Sequence, residues 1–313
     1  MAAVTELGHD VFQIDTRMAG YQGITAGYLI RADRPCLVET GTGPSAPVVR
    51  GALSALGVRA GDLATVVVTH IHLDHAGGAG DIARMYPRAE VVVHERGARH
   101  LADPSRLMAS ARMVYGDELD ALFGELAPTP AARIRAVEER GSIDLGGGRR
   151  LDSHYSPGHA KHHVGLLDSL SGDLYVGDAA GVYVPETADV RPATPPPDFD
   201  LGVALESLRK FRALRPARLL FSHFGPVEAV DETLERSAEE LNVWVDEVTR
   251  ARGTGLGLDH TVAMVHERTM ERYALFRAQT DPGVAAKFER LSGAAANVAG
   301  IMHWLDRSAL PKV

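Results

Sequence analysis

Short apolar runs closed by polar clusters fill the chain as far as Pro226, and beyond it apolar residues return at every third or fourth position. The first pattern predicts strands and loops. GYLIRAD and CLVET read as two short strands joined by the turn Ala32-Asp33-Arg34-Pro35. GTGPSAPVVRGALSALGV predicts a glycine loop and then a helix, Leu63–Val68 a strand and Glu90–His94 another. From Gly97 to about Glu138 the pattern turns helical and polar, an insertion between two α/β halves. Strand signals return in RRLDSHYS, HHVGLLDS and SGDLYVGD, with Ser171-Gly172 as a tight turn. RPATPPPDFD is a proline-stiffened loop, Asp200 an N-cap for a helix through Leu214, and ARLLFSH a strand ending on histidine.

The second pattern is helical. Leu234, Ala238, Leu241, Val245 and Val248 share one helix face, as do Ala294, Val298, Ile301 and Leu305. The expected organisation is an α/β region over residues 1–228, carrying the helical insertion 97–138, and a helical C-terminal region over 229–313. That region is expected to cover the active face or to form an interface, and apolar faces on its helices favour a homodimer.

Composition narrows the function classes. At 313 residues, 45% hydrophobic and 24% charged, the chain has the balance of a globular protein able to bury a substantial core. Its 33 Lys and Arg against 41 Asp and Glu leave a formal charge of −8, with no long basic run, so nucleic acid is not an expected partner. Cys36 is the single cysteine; no intramolecular disulfide can form, and within CLVET it reads as a small buried hydrophobe. MAAVTELGHDVF lacks a basic start and a long apolar core, and no apolar run approaches the ~18 residues of a membrane span. The expectation is a cytoplasmic protein acting on a small molecule, without a membrane partner.

The polar clusters carry the chemistry. Four strand-like runs end on potential metal ligands: VVVTHIHLDH, HYSPGH, LYVGD and LLFSH. Histidine and aspartate are poor strand formers, and buried without partners they cost free energy. Placed at strand ends, they lie at one edge of a sheet, where a cation can be held rigidly. His70, His72, Asp74, His75, His159, Asp178 and His223 are the candidates, and Gly77-Gly78 lets the backbone pass close by. Neutral imidazoles with carboxylates suit zinc, with iron or manganese as alternatives. Seven candidates exceed one tetrahedral ion and suit two divalent ions sharing a carboxylate, ~3.5–4 Å apart.

With THIHLDHAGG, SPGHAKHH, YVGDAAG and LLFSHFGP in this order, the sequence resembles the metallo-β-lactamase fold superfamily, closest to its glyoxalase II-like hydrolase branch. The resemblance spans roughly residues 20–228. It implies an αββα sandwich with the metals at one edge of two facing sheets. It also implies one ion on His70, His72 and His159, a second on Asp74, His75 and His223, and Asp178 bridging. A hydroxide between the ions would be the nucleophile, with Asp74 orienting it and shuttling its proton. His163 is expected to support the site by hydrogen bonding rather than to ligate. Where the family has an aspartate in a D-x-G turn, VETGTG carries Glu39, one methylene longer, which is read as a supporting carboxylate.

Two other motifs are set aside. Gly41-Thr42-Gly43-Pro44-Ser45-Ala46 fits a dinucleotide loop, but the next strand closes with Thr69-His70 rather than an acidic residue for a ribose. Ser207-Leu208-Arg209-Lys210 matches S-x-x-K but lies within a helix and lacks its K-T-G partner. The resemblance favours hydrolysis of a small carbonyl substrate: a thioester, lactone, ester or amide. An iron-dependent, sulfur dioxygenase-like oxidoreductase on the same fold is the alternative, and His72 in place of a glutamate counts against flavodiiron chemistry. Substrate choice is expected in segments 97–138 and 183–198 and in the C-terminal helices, with Tyr21 and Tyr183 as pocket candidates.

Overall fold

The computed structural model describes residues 3–253, 255, 257–291 and 293–309. The chain forms two compact units, one of Met1–Tyr155 with His162–Gly177, the other of Ser156–Lys161 with Asp178–Val313.

The first unit opens with β1 (Val4–Gly8), β2 (Val11–Asp15), β3 (Ala26–Ile30) and β4 (Cys36–Val38), each antiparallel to the one before. Helix α1 (Ala46–Ala55) then crosses to β5 (Thr65–Val67), and the short α2 (Leu73–Ala76) and α3 (Ala79–Met85) lead to β6 (Glu90–His94). Helices α4 (Glu95–Ala102), α5 (Ser105–Tyr115) and α6 (Glu118–Leu122) follow, and β7 (Ile134–Val137) completes the seven-stranded sheet. From β4 to β7 neighbours run parallel. CLV, TVV and VVV are buried throughout, as parallel strands covered on both faces must be. The insertion expected over 97–138 has its last α-helix end at Leu122 and closes with a 3₁₀ turn, Ala131–Arg133, and β7. Tertiary pairing along β6 recruits IRAV as a strand, which its flanking polar residues conceal.

A second meander, β8 (Arg140–Gly146), β9 (Arg149–Tyr155), β10 (Val164–Asp168) and β11 (Asp173–Gly177), is antiparallel throughout. Its apolar face meets the first sheet where Tyr28 of β3 lies edge-on to Tyr175 of β11, centroids 5.3 Å apart. Arg149 pairs with buried Asp168 and also donates to the His9 carbonyl at 2.7 Å, fastening the meander to the first hairpin. Burial pushes the Cys36 thiol and the Tyr175 phenol up, so both stay neutral inside this core.

The second unit holds β12 (Val182–Val184) against β13 (Asp189–Arg191), α7 (Leu201–Ala213), and the hairpin of β14 (Arg218–Phe221) and β15 (Gly225–Val227). Among the described residues, the α-helices α8 (Val230–Arg252), α9 (Leu258–Met270), α10 (Pro282–Leu291) and α11 (Ala294–Ala309) follow. Asp200 caps α7 by accepting from Val203 N at 3.1 Å. Trp244 of α8 is fully buried and donates to Tyr273 Oη at 2.7 Å; Tyr273 donates in turn to buried Glu240, which Arg236 and Arg272 neutralise. No helix among the described residues is long and apolar enough to cross a membrane.

Candidate metal centre

Parallel register decides what meets at the end of the first sheet. Val38 pairs with Val67 and Val67 with Val92, so the residues just beyond β4, β5 and β6 share one edge, where open α/β sheets place their sites. There Glu39 Oε1 accepts from Thr69 N at 2.7 Å, and Oε2 accepts from His75 Nδ1 at 2.8 Å. Glu39 is 1% exposed, and the carboxylate joins the strand end to the helix that follows it.

His70 is fully buried, with Nδ1 3.0 Å from Thr69 Oγ1 and Nε2 3.0 Å from His72 Nδ1. His72 immediately precedes α2, which carries Asp74 and His75; the His75 carbonyl accepts from both the N–H and the hydroxyl of Thr40 at 2.8 Å. Gly77 explains why this turn fits: a Cβ there would lie 2.8 Å from Thr42 Cα and 2.9 Å from Gly43 N. The glycine loop 41–46, which mimics a dinucleotide motif, thus serves as the surface on which the histidine turn rests. His163 is fully buried with its ring 5.1 Å from that of His70, and a Cβ on Gly177 would lie 2.3 Å from His163 Nε2. His162 Nδ1 stands 3.4 Å from Ile71 N.

The second unit gathers the other three candidates. Gly158, at φ +124°, lets the SPGH turn approach α7 so closely that a Cβ would meet Ala204 N at 2.4 Å. Ser207 Oγ donates to the Pro157 carbonyl at 2.6 Å and Asp200 N to the Gly158 carbonyl at 2.9 Å. His159, so held, donates from Nδ1 to the Ala193 carbonyl at 2.9 Å and presents Nε2 to Asp178 Oδ2 at 3.5 Å. His223 Nε2 stands 3.6 Å from Asp178 Oδ1, and its backbone carbonyl accepts from Tyr183 N. Tyr183 therefore brackets His223 through its main chain, its ring against Phe221, while Tyr21 is exposed beside a short 3₁₀ turn.

The donor chemistry suits a cation. Glu39 and the Ala193 carbonyl can only accept, so His75 and His159 carry their proton on Nδ1. Nε2 of each ring, the nitrogen left for a metal when the imidazole is neutral, faces a carboxylate oxygen: His75 faces Asp74 at 3.7 Å and His159 faces Asp178 at 3.5 Å. These gaps are too wide for charge-assisted hydrogen bonds of about 2.7–2.9 Å. They approach the edge of a tetrahedron around zinc, about 3.3 Å for ligands at 2.0–2.1 Å.

Comparison with known proteins gives the lineage. The family model described as the metallo-beta-lactamase superfamily matches residues 20–223. The chain belongs to that superfamily. Its α/β architecture is the metallo-β-lactamase sandwich with a helical C-terminal region. A metallo-beta-lactamase fold-containing protein of Sulfurisphaera tokodaii is 33% identical over 188 residues, 58% of this chain and 69% of the relative. A hydroxyacylglutathione hydrolase of Vibrio campbellii is 27% identical over 197 residues, 62% of each chain. The crystal structure of an archaeal superfamily protein from Sulfolobus tokodaii superposes with a TM-score of 0.69 at 24% identity, covering 94% of this chain and 98% of that one.

Sequence reasoning missed the residues that hold the candidate ligands. Thr40 and the Ala193 carbonyl carry no motif, and the S-x-x-K match at Ser207 points to a different chemistry, because all three roles depend on contacts distant in sequence.

Proposed function

We propose that the chain is a binuclear metallo-hydrolase acting on a small carbonyl substrate, a thioester, lactone, ester or amide. One ion would take His70, His72 and His159, the other Asp74, His75 and His223, with Asp178 shared between them. The carrying observation is the pair of Nδ1-anchored histidines, His75 and His159, each aiming Nε2 at a carboxylate oxygen beyond hydrogen-bond reach. The hydroxyacylglutathione hydrolase relative supports the substrate class. Zinc ions, when bound, supply Lewis-acid polarisation of the carbonyl and acidify a water to a pKa near ~7. Residues 1–228 are then the catalytic region and 229–313 its helical complement, in a cytoplasmic enzyme.

The side chains divide the remaining work. Glu39 fixes the His75 tautomer, and the Ala193 carbonyl fixes that of His159. Asp74, only partly buried, would accept the proton of the attacking water and return it to the leaving group. No serine or cysteine nucleophile is needed, and Cys36 is locked in the core as a neutral thiol.

Elemental analysis of purified protein, with activity followed on thioesters, lactones and β-lactams in the same fractions, tests this reading. About two zinc per chain with metal-dependent hydrolysis supports it. One iron per chain with oxygen uptake and no hydrolysis overturns it in favour of a dioxygenase.

A further inference from the structure

Helix α11 lies outside every motif, yet one of its faces meets the loop that holds His159. Positions 297, 300, 304 and 307 are three or four residues apart and so share a side of the helix. Each of them touches the loop 192–199. Asn297 is 4% exposed; its Oδ1 accepts from Thr194 N at 2.7 Å, and its Nδ2 donates to the Pro192 carbonyl at 2.8 Å. Thr194 Oγ1 completes the clamp by donating to the Asn297 carbonyl at 3.1 Å. One turn on, Gly300 brings the helix against the same backbone: a Cβ there would lie 1.8 Å from Thr194 O and 2.7 Å from Pro195 C. Trp304 meets Phe199 edge-on at 5.9 Å, and Arg307 donates to the Phe199 carbonyl at 2.9 Å.

Between Pro192 and Thr194, the two residues that Asn297 grips, stands Ala193, whose carbonyl accepts from His159 Nδ1 at 2.9 Å. The prolines at 192, 195, 196 and 197 have no N–H, so this loop cannot build a full backbone ladder of its own. We propose that α11 is a positioning element of the metal centre, in which Asn297 and Gly300 hold the Ala193 carbonyl that sets the tautomer and rotation of His159. The inference rests on the reading of His159 as a metal ligand. Asn297 touches no reacting atom; it acts through the carbonyl. If the loop drifts, His159 Nδ1–H loses its acceptor, the ring is free to turn, and Nε2 leaves its aim.

The test compares full-length wild type with Asn297→Ala and Gly300→Ala. Competitive titration with zinc ions and ¹⁵N spectra of the histidine side chains are the two readouts. The expected result is about tenfold weaker binding of one zinc equivalent with the other unchanged, the scale of losing an outer partner of a ligand. His159 is expected to lose its uniform Nδ1–H form in the same variants. Asp306→Ala, which removes an exposed ion pair of α11 with Arg252, should leave both readouts unchanged and so separates loop positioning from helix docking. Should Asn297→Ala fail to fold, Gly300→Ala and Arg307→Gln, which removes only the bond to Phe199, carry the comparison. Wild-type zinc affinity and an unchanged His159 tautomer in the folded variants would overturn the proposal. A wild-type chain that takes up no zinc would overturn the metal reading instead, and the tautomer spectra would still decide whether α11 sets His159.

Discussion

Glu39 adopts φ +64°, a left-handed conformation that costs a residue with a side chain about 1–2 kcal/mol. Its two buried contacts offset that cost by serving a strand-end N–H and the His75 imidazole together. Glu39→Ala should lower stability by about 1–3 kcal/mol, because the buried Thr69 N–H loses its acceptor. It should also weaken zinc binding by roughly 10–100-fold as His75 loses its anchor. Denaturant unfolding and competitive zinc titration measure the two effects, and unaltered affinity would detach Glu39 from the centre. His94 predicts a pH dependence. Burial, with Arg96 adding and Glu95 and Glu139 opposing, holds its imidazole below the ordinary value of 6.5. The ring lies stacked on Tyr155 and Nδ1 accepts from Arg96 N, capping α4. The unfolded chain binds the proton more readily, so this contribution to stability is complete above about pH 6.5 and is lost as pH falls through the lowered folded value. His100 and His154 shift the same way, again chiefly through burial. His94→Asn keeps a capping acceptor without titrating there, and should flatten the fall in thermal midpoint between neutral and mildly acid solution. An identical fall in the variant would exclude His94. In sequence, Glu39 was readable as a supporting carboxylate, but its partner was not, because that follows from the parallel pairing of β4 with β5.

The SPGH turn shows how an element carries a ligand. Its positive φ at Gly158 and its approach to α7 make Gly158→Ala a test of the element rather than of the ligand, since no donor is removed. The variant should fold with reduced stability and lose most binding of the ion assigned to His159, read by metal content after gel filtration. Full metal content would show that the turn tolerates the shift. Elements with a clear period were legible: β6 falls on the expected Glu90–His94, and α7 begins after Asp200 as its cap predicts. The strand β8, RGSIDLG, was not expected, because glycines and alternating charges hide a strand whose pairing with β9 fixes it. The segment 183–198, where substrate choice is expected, contributes to the pair β12–β13, again on cross-strand contacts that local propensity does not report.

At the scale of the whole chain, the proposed ligands divide between the two units: His70, His72, Asp74 and His75 in one, and His159, Asp178 and His223 in the other. The order of the motifs was plain in sequence, whereas this division is set by where the chain crosses from one unit to the other, at residues 155–162 and 177–178. It makes metal removal informative. A ligand that binds only the folded state adds RT ln(1 + [L]/Kd), about 4.1 kcal/mol at a thousandfold excess over Kd. Chelated protein should therefore unfold at a lower temperature, and zinc should restore it. Both tryptophans, Trp244 and Trp304, belong to the second unit, so their fluorescence follows that unit alone. Amide exchange in β5 follows the first. Ions shared by both ligand sets must stabilise both reporters by the same titration, because one binding equilibrium is linked to each. If zinc raised the fluorescence transition and left β5 exchange untouched, each ligand set would be acting alone, and the shared centre would have to be abandoned even in a protein that still bound metal.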